Sequence, residues 1–208
     1  EIIPLFREQY PGITIEITET SLPAFKKALT EGTLDVGLAS DVSTIPYGSL
    51  VQVLREEEVF LAISMFHPYA LTHPSGTPIT AEEVKANFAG DNLLLSKKGA
   101  SLRMIGDQFF DACGFEPVAV CETNNISATR SMVAQNAGVA FISESCSVNR
   151  DHIAYYPLSP AMKRLNLVVR QKDWVLNEPE QAFMDQILNY FKQNTEHPYL
   201  AEKYSISF

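Results

Sequence analysis

The stretch Ser96-Lys97-Lys98-Gly99-Ala100-Ser101 gathers two hydroxyls and two ammonium groups around a glycine, where a strand-like run gives way to a helical one. Free N–H groups at a helix start, hydroxyls and lysine charge together favour an anion. From these residues alone, a plain helix cap with solvated lysines is an equal competitor. Thr20 and Ser21 follow an isoleucine-rich run in the same manner, and their plain reading is again a cap for the next helix. In an open α/β sheet the carboxyl ends of the strands face the ligand crevice, which adds Ala39-Ser40 and Asn124-Asn125. The candidate ligand-binding residues are therefore Thr20, Ser21 and Ser40 on one side and Lys98, Ser101 and Asn125 on the other.

No set of residues nominates itself for catalysis. Neither a Gly-x-Ser-x-Gly elbow nor a Gly-x-x-x-x-Gly-Lys-Ser/Thr loop is present, so serine hydrolysis and phosphate-loop chemistry lack support. Glu56-Glu57-Glu58 reads as a solvated edge, because consecutive carboxylates without interleaved ligands rarely hold a metal. His67, His73, His152 and His197 sit beside Pro, Ser or Asp without metal-ligand spacing, and read as turn or surface histidines. Cys113, Cys121 and Cys146 are odd in number and widely spaced, which fits reduced, buried thiols in a cytoplasm. The expectation is a protein that is not an enzyme and needs no cofactor or metal.

With 208 residues, 46% of them hydrophobic and 20% charged, the chain can bury a substantial core. Its 25 acidic against 16 basic residues leave a formal charge of −9, which repels a phosphate backbone or an anionic membrane. No window has the apolar length of a membrane span, and the opening residues lack the regions of a signal peptide.

Apolar runs alternate with helical periodicity from end to end, as in an α/β protein with largely parallel sheets. Ile2, Ile3, Phe6 and Tyr10 share one helical face, and Pro11-Gly12 stops that pattern before Ile13-Thr14-Ile15-Glu16-Ile17, which alternates as a strand. A helix through Phe25 and Leu29 ends at Gly32, with strands expected over 34–38, 50–54 and 59–63. Thr80 and Glu83 have capping-box spacing for a helix to Phe88. Strands follow over 93–95, 118–121, 139–142 and 165–169, with helices over 101–113 and 127–135. Asn177 and Pro179 open a last helix with Phe183, Ile187 and Phe191 on one stripe.

Taken in order, Phe6-Arg-Glu-Gln-Tyr-Pro-Gly, Glu31-Gly-Thr-Leu-Asp-Val-Gly-Leu, His67-Pro68, Gly99-Ala-Ser-Leu-Arg, Gly138-Val-Ala-Phe-Ile and Leu165-Asn-Leu-Val-Val-Arg make the chain resemble the effector-binding domain of LysR-type transcription regulators throughout. The resemblance implies the two-lobed α/β fold of type 2 periplasmic binding proteins with two crossover strands, lobe I from 1–63 plus 168–208 and lobe II from 64–167. It implies a small, anionic effector held in the inter-lobe cleft, and DNA contact only through a helix-turn-helix domain absent from this sequence. An extracytoplasmic solute-binding protein of the same fold is the alternative.

The family opens this domain with a strand ahead of the first helix, whereas this sequence opens at the helix. Peroxide-sensing members carry a reactive cysteine where Ser101 stands, with Phe110 near the place of its partner, so thiol switching is not expected here. Family domains pair antiparallel through the first helix, the following strand and a second-lobe helix. That implies a homodimer or larger oligomer through Ile3, Phe6, Tyr10, Ile15 and Met132.

Overall fold

The computed structural model describes residues 2–43, 49–171 and 175–193. The sheet is mixed rather than largely parallel, and the chain divides into two compact units. Unit 1 takes 1–40, 44–55 and 165–208, and unit 2 takes 41–43 and 56–164.

Unit 1 begins with α1 (Ile2–Gln9) and α2 (Leu22–Glu31), followed by β1 (Gly37–Asp41) and the first part of β2 (Ser49–Ser64). Gly32 closes α2 in the left-handed region at φ 66°, a position open to glycine at little cost. Phe25 and Leu29 pack on Leu167 and Val169 of β8 (Lys163–Gln171), which lies between β1 and β2. Phe6 meets Phe183 of α7 (Glu178–Gln193) edge-on at 5.0 Å. Asn177 and Glu180 cap α7 reciprocally, at 3.0 and 2.9 Å.

The run Ile13–Ile17 forms no strand: Ile17 is 71% exposed, and no described strand lies beside it. Alternation supplies a face, but a strand exists only as part of a ladder. The strand expected over 34–38 is shifted to 37–41.

Unit 2 continues β2 and adds α3 (Pro68–Thr72), β3 (Ile79–Thr80), α4 (Ala81–Phe88), β4 (Leu93–Leu95), α5 (Ser101–Cys113), β5 (Ala119–Glu122), α6 (Ile126–Ala134), β6 (Val139–Ser143) and β7 (Ile153–Ser159). β4 runs parallel to β5 and β6, while β2 pairs antiparallel with β6 and β7. The capping box of α4 is complete: Thr80 Oγ1 accepts from Glu83 N, and Glu83 Oε2 accepts from Thr80 N at 2.8 Å.

Two strands expected at 50–54 and 59–63 are one 16-residue strand. Arg55–Glu58 looks like a polar break, yet the backbone passes straight through because β8 supplies cations alongside. The division accordingly falls inside β2 at 55/56 and inside β8 at 164/165, not at 63/64 and 167/168.

Candidate functional site

The carboxyl ends of the parallel strands β4, β5 and β6 and the starts of α5 and α6 surround a cavity of about 260 Å³ within unit 2. Ser96 follows β4, Thr123 and Asn124 follow β5, and Ser143 ends β6. Ala100, Ser101 and Leu102 come from the start of α5, and Ile126 and Thr129 from α6. Leu94 and Phe141 give the cavity an apolar wall, Cys146 borders it, and Arg164 is the one charged side chain in its lining.

Local sequence explains why the helix starts converge. Gly99 turns the loop at φ 87°, a backbone region that residues with a Cβ enter at a cost. Asn124 Oδ1 accepts from Lys97 N at 2.9 Å, which ties the loop before α5 to the loop before α6. Arg103 holds the same loop by donating to the Ser96 carbonyl at 3.2 Å, and it is anchored by Asp107 at 2.7 Å and Glu122 at 2.6 Å. Gly106 lets α5 settle on the sheet, since a Cβ there would stand 2.8 Å from the Phe141 ring.

Ser101 is 7% exposed, and its hydroxyl makes no hydrogen bond to another described residue. The Ser101 hydroxyl, at the start of α5 in the cavity wall, can both donate to and accept from a bound group. Arg164 lies opposite in chemical character. It donates from Nε to Glu57 Oε1 at 2.7 Å and from Nη2 to Ser143 Oγ at 2.8 Å. Glu57 also accepts from Ser145 N at 3.1 Å. Burial would raise the Glu57 carboxyl, but the Arg164 charge and the bonds from Ser145 and Arg164 outweigh it and hold the group below its ordinary value.

The other anticipated residues are dispersed. Asn125 caps α6, its side chain accepting from Ala128 N at 3.0 Å, while its neighbour Asn124 borders the cavity. Lys98 is exposed and absent from the lining. In unit 1, Thr20 is exposed, and Ser21 stands at the start of α2 without a side-chain cap. Ser40 donates to Asn166 Oδ1 at 2.8 Å and borders a separate shallow hollow with Leu38 and Phe191.

Of the residues anticipated for self-association, Ile3 is 36% exposed, Ile15 and Met132 are half-buried, and Phe6 is buried inside unit 1 with Tyr10 against it.

Glu57 corrects the reading of a solvated acidic edge, for its side chain is 0% exposed. In a strand, side chains alternate, so Glu56 pairs with Lys163 at 2.6 Å in the open while Glu57 turns inward to Arg164. The signal available in the sequence was the match of Glu56-Glu57 to Lys163-Arg164, legible only once both runs are known to be neighbouring strands. Among the histidines, His67 is partly buried: Nδ1 accepts from Tyr69 N at 3.2 Å, and Nε2 meets Asp91 at 3.0 Å. His197 lies outside the described residues. Among the described residues no His, Cys, Asp and Glu cluster could hold a metal ion.

Residues 1–192 match the model of the LysR substrate binding domain. The chain belongs to that family. It is 24% identical over 195 residues to the HTH-type transcriptional regulator YybE of Bacillus subtilis, covering 93% of this chain and 63% of that protein. It is 25% identical over 162 residues to the HTH-type regulator BenM of Acinetobacter baylyi, covering 76% of this chain and 50% of that protein. The chain thus spans from half to under two thirds of these relatives.

Among solved structures, the regulatory domain of CcmR from Synechocystis PCC6803, in complex with 2-PG, superposes with a TM-score of 0.76 at 18% identity, covering 93% and 90% of the two chains. The effector-binding domain of QuiR, in complex with shikimate, gives 0.72 at 16%, with the same coverage. The LysR domain therefore has the open-sheeted, type 2 periplasmic-binding-protein-like fold, with β2 and β8 as the strands that pass between units. The named relatives are regulators, which tells against the extracytoplasmic alternative.

Proposed function

We propose that this LysR domain is the small-molecule sensor of a transcription regulator and binds an anionic effector in the unit 2 cavity. The observation that carries this reading is that Arg164, the one charged lining residue among those described, shares the cavity wall with the Ser101 hydroxyl at the start of α5. A carboxylate or similar group satisfies both, along with the helix N–H groups. The complexes of CcmR with 2-PG and of QuiR with shikimate support a small-molecule ligand.

The domain works without turnover, in the cytoplasm, as a homo-oligomer, and reaches DNA through a separate helix-turn-helix domain. Among the described residues no helix is long and apolar enough to cross a membrane. Self-association uses α1, where Leu5 is 59% exposed.

The test is a thermal-shift screen of small organic acids, cations and neutral sugars. A ligand at about a hundred times its Kd adds about 2.7 kcal/mol of stability. At least one acid should raise the Tm and be recovered unchanged by mass spectrometry. Stabilisation by cations or neutral sugars alone, or conversion of the ligand to excess product, contradicts the reading.

A further inference from the structure

The charge arrangement around Arg164 bears on which anions fit. Its guanidinium is shared between Glu57 and Ser143, at 2.7 and 2.8 Å, and the fork's other N–H groups remain for a ligand. Glu57 is not part of the cavity lining, and its side chain is 0% exposed. No aspartate or glutamate lines the cavity among the described residues. An anion in the cavity therefore meets a cation whose charge is already matched from behind.

We propose that Glu57 sets the ligand's charge at one, so that the cavity selects a monoanion, a small carboxylic acid, over a dianion of the same shape. The inference rests on the unit 2 cavity being the effector site. Glu57 and Arg164 together contribute no net charge. The starts of α5, 13 residues long, and α6, 9 residues long, each present about half a positive charge. Two such ends balance one negative charge. A second negative charge would face the Glu57 carboxylate across a guanidinium already committed to it, in a partly desolvated space where like charges repel strongly. Arg164 is then the recognition residue and Glu57 the specificity residue behind it. The oxygens of a single carboxylate are enough to use Ser101 and the free part of the arginine fork.

The experiment compares matched pairs, benzoate with phenylphosphonate and butanoate with propylphosphonate, at an alkaline pH where each phosphonate is a dianion. Thermal shift and calorimetric titration are run on the intact protein, its Glu57→Gln variant and its Arg164→Lys variant. The wild type should prefer each carboxylate by about tenfold or more. Glu57→Gln, which keeps the side chain's size and one of its two acceptor oxygens and removes the charge, should move the ratio toward the phosphonate by about the same factor. Arg164→Lys should weaken both members of a pair. Phosphonates bound as tightly as carboxylates by the wild type overturn the inference while leaving the anionic sensor intact, as does a ratio unchanged in a folded Glu57→Gln variant. If no acid binds at millimolar concentration, the cavity assignment fails and the inference with it. Should Glu57→Gln not fold, the wild-type ratio alone decides.

Discussion

Arg164 donates from Nε to Oε1 of Glu57 at 2.7 Å, and the glutamate side chain that receives it is 0% exposed while the arginine is 13% exposed. The two residues come from β8 and β2 where those strands leave unit 2. Removing one partner of a buried pair strands the other, so Arg164→Ala is expected to cost about 3–5 kcal/mol of unfolding free energy. Chemical denaturation checks this, and the Glu57→Leu, Arg164→Leu double variant should lose markedly less than the two single variants added together.

The same pair gives the stability a pH dependence. The Glu57 carboxyl is held below its ordinary value of 4.5 in the folded protein. A lowered folded-state pKa means that the contribution is fully present above the ordinary glutamate range and disappears as pH falls through the lowered value. Denaturation midpoints followed from neutral pH into the acid range below about 4 should decline. That decline should be shallower in Glu57→Gln, and an equal slope in both proteins would contradict the assignment.

Cys113 is buried in the unit 2 core, and burial pushes its thiol up to about 11. The thiolate is the reactive form, so an alkylating agent at mildly alkaline pH should leave Cys113 unmodified in the native protein and modify it after denaturation. Peptide mapping reads this directly.

Gly106 predicts a packing cost. A methyl group there would stand 2.8 Å from the Phe141 ring, which also lines the cavity. Gly106→Ala should destabilise the protein by about 1–3 kcal/mol despite the better helix propensity of alanine. It should weaken ligand binding as well.

Self-association through α1 predicts a dimer by sedimentation at high micromolar concentration. Leu5→Lys, at a position 59% exposed, should shift the protein toward monomer without lowering its Tm. A parent protein that is wholly monomeric would contradict it.

Elements whose signals are local were legible in the sequence. The capping box at Thr80, the glycine cap at Gly32 and the stripe of α7 each depend on residues within a turn or two. The bounds of α5 and β4 were equally readable. What depended on distant neighbours was not. Ile13–Ile17 alternates like a strand but has no described ladder to join, and β7 hides its strand character behind Pro157 and burial on both faces.

For the cavity, Ser101 announced itself through the turn before α5. Arg164 could not, because its role depends on the β2–β8 pairing that brings it to Glu57 and Ser143. Asn125 and Asn124 were indistinguishable by type, and local geometry makes one a helix cap and the other a wall residue.

The most direct measurement is a crystal structure with the best-stabilising acid bound. Its carboxylate should lie between the starts of α5 and α6, within hydrogen-bond reach of Ser101 Oγ and the Arg164 guanidinium. The same acid should lose about 1–3 kcal/mol of affinity for Ser101→Ala. Density for the acid away from this cavity, with Ser101→Ala binding it as tightly as the parent, would rule out the unit 2 cavity as the effector site.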